Sequence, residues 1–179
     1  KASFSEPPQA CAAASKTARW IREHGEITTE VIGQEIIGQV QIAKVKDIAH
    51  FRNVVENYKQ QWIEDINRDV AASMKSRGGG VSDMQVREIA RPDGGVMAVL
   101  HIHLNPCDAM GANIINQVCE YITGPIEDKT GEEVTMRILS NLVDTKLTRA
   151  KVVMRGIDAK TGEAIQEASL FAELDSYRA

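Results

Sequence analysis

Six residues, Asp108-Ala109-Met110-Gly111-Ala112-Asn113, carry the strongest chemical signal in the chain. They follow an apolar run, Val96-Met97-Ala98-Val99-Leu100-His101-Ile102-His103-Leu104, that reads as a strand, and they open an apolar helical stretch. The first N–H groups of a helix have no intrahelical partner, and the helix dipole favours negative charge there. Strand, polar residue, glycine and helix in that order therefore present backbone donors to an anion, and a dinucleotide pyrophosphate suits the place. Asp108 is expected to cap the helix and Gly111 to let a ligand approach the backbone. The same pattern also serves a plain capped helix with no ligand.

Other residues with chemical potential are weaker on local grounds. Ser140-Asn141 follows a strand and could turn polar groups into a cleft, or form an ordinary turn. Met110 could line a ligand site or fill core space. His101 and His103 share one strand face, but two ligands do not make a metal site, and none is expected. Arg68, Asp69, Lys75 and Arg77 cluster near the end of a long helical stretch. An acid there would suit a ribose hydroxyl and a base an extra phosphate, so both kinds together leave NADH against NADPH undecided. Lys16, Arg19 and Arg22, with Glu23, read as a solvated helix face.

The elements that must position these groups follow from periodicity. Ala10, Ala13, Ala14, Ala18 and Ile21 recur at helical spacing over 8–23, and His24-Gly25 is a stop signal. Val40 to Val45 alternates as a strand. Asp47 can cap a helix whose stripe is Ile48, Phe51, Val55, Tyr58, Trp62, Ile66 and Val70, ending at Gly78-Gly79-Gly80. Strands at 84–89 and 96–104 flank the turn Arg91-Pro92-Asp93-Gly94-Gly95. A helix from Asp108 carries Ile114, Ile115, Val118, Cys119 and Ile122 and is perturbed at Gly124-Pro125. A strand at 134–139, a further strand at 151–154 and a helix at 163–174 complete the chain. Strand, helix, strand, strand, helix, strand is the βαββαβ order of a ferredoxin-like α+β sandwich.

Composition narrows the function classes. The 179 residues suit one domain with appendages, and the aromatic content of 4% predicts a mainly aliphatic core. A net charge of −4 argues against a nucleic-acid binder, and the strands lack the aromatic platforms of an RNA-binding sheet. No apolar run approaches the ~20 residues of a membrane span. Three cysteines, Cys11, Cys107 and Cys119, without a Cys-x-x-Cys pair suggest neither disulfides nor zinc, but reduced thiols in a cytoplasm.

Asp-Ala-Met-Gly-Ala-Asn resembles the cofactor signature of 3-hydroxy-3-methylglutaryl-CoA (HMG-CoA) reductases, especially the class II enzymes. Further segments agree in order. Glu6-Pro7-Pro8 before an Ala-rich helix resembles the family's Glu-Pro-Ser, and Gly78-Gly79-Gly80 its triple glycine. Arg137-Ile138-Leu139-Ser140-Asn141-Leu142 and the final Asp175-Ser176-Tyr177-Arg178-Ala179 also resemble family segments. Pro8 stands where the family usually has Ser, and Cys107 where class II sequences often have Arg.

The resemblance implies an internal part of about half a subunit. Residues 1–33 and 146–179 would be flanks of a large substrate domain, with helices over about 6–30 and 155–179. Residues 34–145 would be the small NAD(P)-binding domain. It implies Glu6 as the catalytic acid, its pKa raised by burial so that it can protonate a carbonyl oxygen. Asp108, Met110, Gly111, Ala112 and Asn113 would bind NADH or NADPH, and Asn141 and Ser140 the hydroxymethylglutaryl group. The whole enzyme would convert HMG-CoA to mevalonate and CoA, or run the reverse, as a dimer-based cytoplasmic homo-oligomer. The family's catalytic Lys, Asp and His have no match here, so the chain alone is expected to lack sustained turnover. The alternative is a non-catalytic ferredoxin-like module that binds a nucleotide or a protein.

Overall fold

A computed structural model of the chain describes residues 8–157 and 164–175. Glu6 and the closing residues 176–179 lie outside the described residues. The chain divides into two units, one from its two terminal portions (Lys1–Ile32 and Thr148–Tyr177) and one spanning Gly33–Leu147.

The terminal unit holds helix α1 (Pro8–His24) and strands β1 (Gly25–Val31), β6 (Thr148–Ile157) and β7 (Ala164–Asp175). They form an antiparallel sheet in the order β1-β6-β7. Pro8 opens α1, a position where its fixed φ suits a helix start. Trp20 and Ile21 of α1 pack on Val152 and Met154. Two expectations fail here. The leading helix keeps the span and the His24-Gly25 stop that periodicity gives it but does not extend to about residue 30, because the β-branched run Ile27-Thr28-Thr29 pairs as strand β1 with β6, from Gly25 opposite Met154 to Val31 opposite Thr148. The trailing helix is strand β7. Its Ala, Glu and Leu content favours helix, but pairing along β6, from Arg149 opposite Asp175 to Ile157 opposite Ala164, overrides that propensity.

The central unit runs β2 (Ile36–Ile42), α2 (Ile48–Asp69), the short α3 (Ala72–Lys75), β3 (Gly80–Ala90), β4 (Val96–Asn105), α4 (Ala112–Tyr121), α5 (Thr123–Thr130) and β5 (Met136–Leu139). Its sheet has the order β3-β4-β2-β5 with every neighbouring pair antiparallel. With the connecting helices, that order is the ferredoxin-like α+β arrangement expected from the sequence.

The core is aliphatic. Val40, Ile42, Met84, Leu100, Ile102 and Leu104 of the sheet are sealed by Phe51, Val55 and Ile66 of α2 and by Ile115, Val118 and Cys119 of α4. Asp47 caps α2 as expected, its carboxylate accepting the His50 N–H at 2.9 Å. The helix ends sooner than the glycine triplet, because the N–H groups of Val70 and Ala71 both turn to the Ile66 carbonyl at 2.9 and 2.8 Å. Strand β2 starts at Ile36, not Val40. Gly38, inside the strand, is a packing position: a Cβ there would lie 2.5 Å from Cys119 Sγ and 2.7 Å from Ile115 Cγ1. No helix among the described residues is long and apolar enough to cross a membrane.

Candidate functional site

The register of the central sheet gathers the candidate segments at one end. Gly80 pairs with Asn105, Ile36 with Leu104, and Leu139 with Gly38. The loop leaving β4, the glycine turn entering β3 and the Ser140-Asn141 segment leaving β5 therefore share that end of the unit.

The β4–α4 loop is built by its own side chains. Asn105 Oδ1 accepts the Cys107 N–H at 2.9 Å, and Ala109 N–H donates to the Pro106 carbonyl at 3.1 Å. Cys107 takes a left-handed backbone at φ 55, and its thiol lies 3.8 Å from the carbonyls of Met74 and Arg77. The loop is thereby docked on the turn that leads into Gly78-Gly79-Gly80. Gly79 has no room for a side chain, since a Cβ there would lie 2.6 Å from Cys107 Sγ. Asn67, buried in α2, fixes the other side of that turn. Its amide donates to the Val81 carbonyl at 2.9 Å and accepts the Val81 N–H at 2.8 Å.

This turn chemistry overturns the expected cap. Residues 106–110 are spent on the loop, so α4 starts at Ala112 with Gly111 as its N-cap, and no side chain caps it. Asp108 stands exposed in the loop instead. Gly111 is required for internal reasons, whatever binds beside it. Its φ is 91, and a Cβ would run into Ile36 Cδ1 and lie 2.9 Å from Pro106 Cβ. Met110 is 84% exposed, which rules out the core-filling role.

Met74, Ala109, Met110, Gly111, Ala112, Asn113 and Ile114 line a cavity of about 320 Å³ at this helix start. The first intrahelical bond from this end is Ile115 N–H to the Gly111 carbonyl at 3.0 Å. The N–H groups of Ala112, Asn113 and Ile114 thus precede the hydrogen-bonded ladder and sit at the positive end of the helix dipole. Chemically, the site can bind an anion through backbone donors, with apolar Met110 and Met74 beside it for a flat ring.

The charged groups around the end of α2 are unequal. Both oxygens of Asp69 are engaged. Arg68 grips it through Nε at 2.7 Å and Nη2 at 2.8 Å, and the Tyr121 hydroxyl donates at 2.7 Å. The Arg68 and Tyr121 hydrogen bonds hold the Asp69 carboxyl below its usual range, and Asp69 in turn raises the Tyr121 hydroxyl. Arg77 donates from Nε to the Ser73 carbonyl at 3.0 Å. Its Nη2 lies 3.0 Å from the sulfur of Met74, which lines the cavity.

Ser140 is buried, and its hydroxyl accepts the Leu142 N–H at 3.1 Å, while Asn141 is exposed. His101 and His103 lie on the sheet face away from the helices, both buried. His103 Nδ1 is 3.5 Å from Glu35 Oε2, and the Ser82 hydroxyl donates to Glu35 at 2.6 Å. Burial, then Arg87 and His103, lowers the His101 pKa. Among the described residues, no group of three or more His, Cys, Asp or Glu could hold a metal ion. In the terminal unit Arg19 pairs with Glu23 at 2.7 Å along α1. The sequence reading missed Asn67 and Asn116. Each is a polar residue set among apolar helical positions, and that interruption was the available signal.

Comparisons with known proteins agree on one family. Residues 6–179 match the family model for hydroxymethylglutaryl-coenzyme A reductase. The chain is 37% identical over 177 residues to the 3-hydroxy-3-methylglutaryl-coenzyme A reductase of Archaeoglobus fulgidus, covering 97% of this chain and 40% of that protein. A class II 3-hydroxy-3-methylglutaryl-CoA reductase from Streptococcus pneumoniae, solved bound to NADPH in open conformations, superposes with a TM-score of 0.76 at 29% identity. It covers 84% of this chain and 40% of that one. A second structure of the Streptococcus pneumoniae enzyme gives 0.76 at 30% identity, over 84% of this chain and 35% of that one. The chain thus spans about two fifths of the length of the relatives it matches.

Proposed function

The chain belongs to the hydroxymethylglutaryl-coenzyme A reductase family, and from that premise we propose that its central unit is the nicotinamide-dinucleotide-binding domain of such an enzyme. The whole protein would interconvert HMG-CoA and mevalonate plus CoA, in the cytoplasm, as a dimer-based homo-oligomer. The terminal unit belongs to the large substrate domain on this reading, and the chain alone does not sustain turnover.

The observation that carries the proposal is the uncapped start of α4 on a cavity bordered by Met110 and Asn113. The N–H groups of Ala112, Asn113 and Ile114 bind the pyrophosphate of NADH or NADPH, and the helix dipole adds to their hold. Met110 offers an apolar surface to a ring of the cofactor, and Asp108 and Asn113 offer polar atoms at the cavity rim. When bound, the reduced nicotinamide would supply the two hydrides that take the thioester carbonyl to the alcohol, with the C–S bond breaking and CoA leaving as the thiolate. Glu6 gives a proton to the carbonyl oxygen as negative charge develops there, which requires a carboxyl with a raised pKa. Asn141 contacts the hydroxymethylglutaryl group. Ser140 supports it by turning the chain through the bond to Leu142.

Ala112→Asp tests the proposal. A carboxylate in the first turn favours the helix but repels a phosphate. Titration with NADH and NADPH, followed by calorimetry and nucleotide fluorescence, should show saturable binding to the native chain. Binding should weaken at least ~100-fold in the Asp variant, with Tm unchanged or raised. A native chain that ignores both nucleotides, or a variant that binds them equally well, would overturn it.

A further inference from the structure

We infer that Asn116 is a positioning residue that locks the cofactor-binding helix α4 to the segment carrying Ser140 and Asn141. The inference rests on the cofactor reading above and adds a coupling between that site and the substrate side.

The lock starts at Gly38. It pairs with Ile102 on one side and Leu139 on the other, in the middle of the sheet. The missing side chain lets Ile115 and Cys119 of α4 settle directly on β2. Asn116, the residue after Ile115, is half-buried on that helix and comes within reach of β5. Its Oδ1 accepts the Leu139 N–H at 2.8 Å.

Strand β5 is an edge strand, and Leu139 is its last residue. The next N–H, that of Ser140, donates to the Ile37 carbonyl of β2 at 2.8 Å. Successive N–H groups of a strand alternate in direction, so the Leu139 N–H points away from β2 and has no ladder partner. Asn116 fills that vacancy. An apolar residue there would serve packing equally well. An amide serves one further purpose, which is to fix where β5 stops and where the Ser140-Asn141 turn begins.

Asn113 lies three residues before Asn116 and so shares its side of the helix. A ligand that orders the first turn of α4 is therefore one hydrogen bond from Leu139 and two residues from Asn141. The start of α4 and the end of β5 respond as one piece.

The experiment uses the 179-residue chain, labelled for NMR and titrated with NADPH. In the native chain, saturation should move the amide resonances of Leu139 and Asn141 along with those of Ala112–Ile114. Asn116→Asp keeps the acceptor and should keep the movement. Asn116→Leu should leave the NADPH affinity within about threefold of native. In that variant the movement at 139–141 should vanish, and Leu139 amide exchange should speed up about fivefold, as expected for one lost hydrogen bond. Asn116→Ala, a better helix former, replaces the Leu variant if that one does not fold. Native resonances at 139–141 that stay still when NADPH binds would overturn the inference. So would a Leu variant that moves and exchanges like the native chain. If the native chain binds no NADPH, the cofactor reading fails, and the Leu139 exchange rates still decide whether Asn116 holds the strand.

Discussion

Helices α2 and α4 lie on the same sheet, yet their N-termini are treated in opposite ways. The start of α2 is closed by carboxylates. Asp47 accepts the His50 N–H, and the buried Glu132 accepts the Lys46 N–H at 2.9 Å and the Asp47 N–H at 3.4 Å. The start of α4 has an acid three residues before its N-cap glycine, Gly111, but Asp108 caps nothing. Helix termini carry the same orphan donors everywhere, so the difference lies in what the chain chooses to put there. A terminus sealed by its own carboxylates is spent on stability. One left open over a cavity remains available for another molecule's negative charge.

Substitutions at the two termini can break this contrast. The largest effect is expected at Glu132. Glu132→Ala removes a buried acceptor and leaves the Lys46 and Asp47 N–H groups unsatisfied, which costs about 2–3 kcal/mol in chemical denaturation. NADPH binding should be spared in the fraction that stays folded. Asp47→Ala should cost about 1 kcal/mol, the usual value of a lost cap, whereas Asp108→Ala should cost less than about 0.5 kcal/mol. Equal losses from the two aspartates would mean that both ends of the comparison are capped helices and nothing more.

Acid supplies the smallest effect and a control. Burial disfavours the charged form of His101, so its folded pKa lies below the ordinary 6.5. The unfolded chain then binds that proton first. Stability from this residue is complete above pH 6.5 and declines as pH falls from there through the lower folded value. Because His101 is on the sheet face away from both helix starts, Tm should drift down slightly in this window while the affinity ratio of Ala112→Asp to native stays fixed. His101→Gln should flatten the drift. A Gln variant with the native slope would assign the titration elsewhere.

Much of the central unit was readable from local pattern. The stripe of α2, its Asp47 cap and the Arg91–Gly95 turn all reflect contacts within a few residues. In that turn the Arg91 N–H reaches the Gly95 carbonyl at 2.9 Å and Gly94 sits at φ 81. The family strings single out the β4–α4 loop, which in the fold leads onto the cavity at the start of α4. The failures share a cause, which is pairing between distant residues. Strands β1 and β7 exist because β6 lies between them, and β7 has a helix former's composition. The early start of β2 hides behind Gly38, whose meaning depends on α4 lying over it. Asp108 reads as a cap until Asn105 and Cys107 claim the intervening backbone for a turn. Asn116 and Asn67 are legible only as polar interruptions, because their partners lie on other elements.

Glu132 has a consequence for the order of folding. The carboxylate that closes α2 comes from 86 positions further along the chain than the Lys46 N–H it receives. Ordering a loop that long costs entropy before the contact returns anything. That bond therefore forms only once the second half of the unit has arrived, whereas Asp47 caps His50 and Asn105 holds the Cys107 N–H from neighbours two or three residues away. Both helix starts draw on local chemistry, and the long-range seal that Glu132 adds to α2 is finished last.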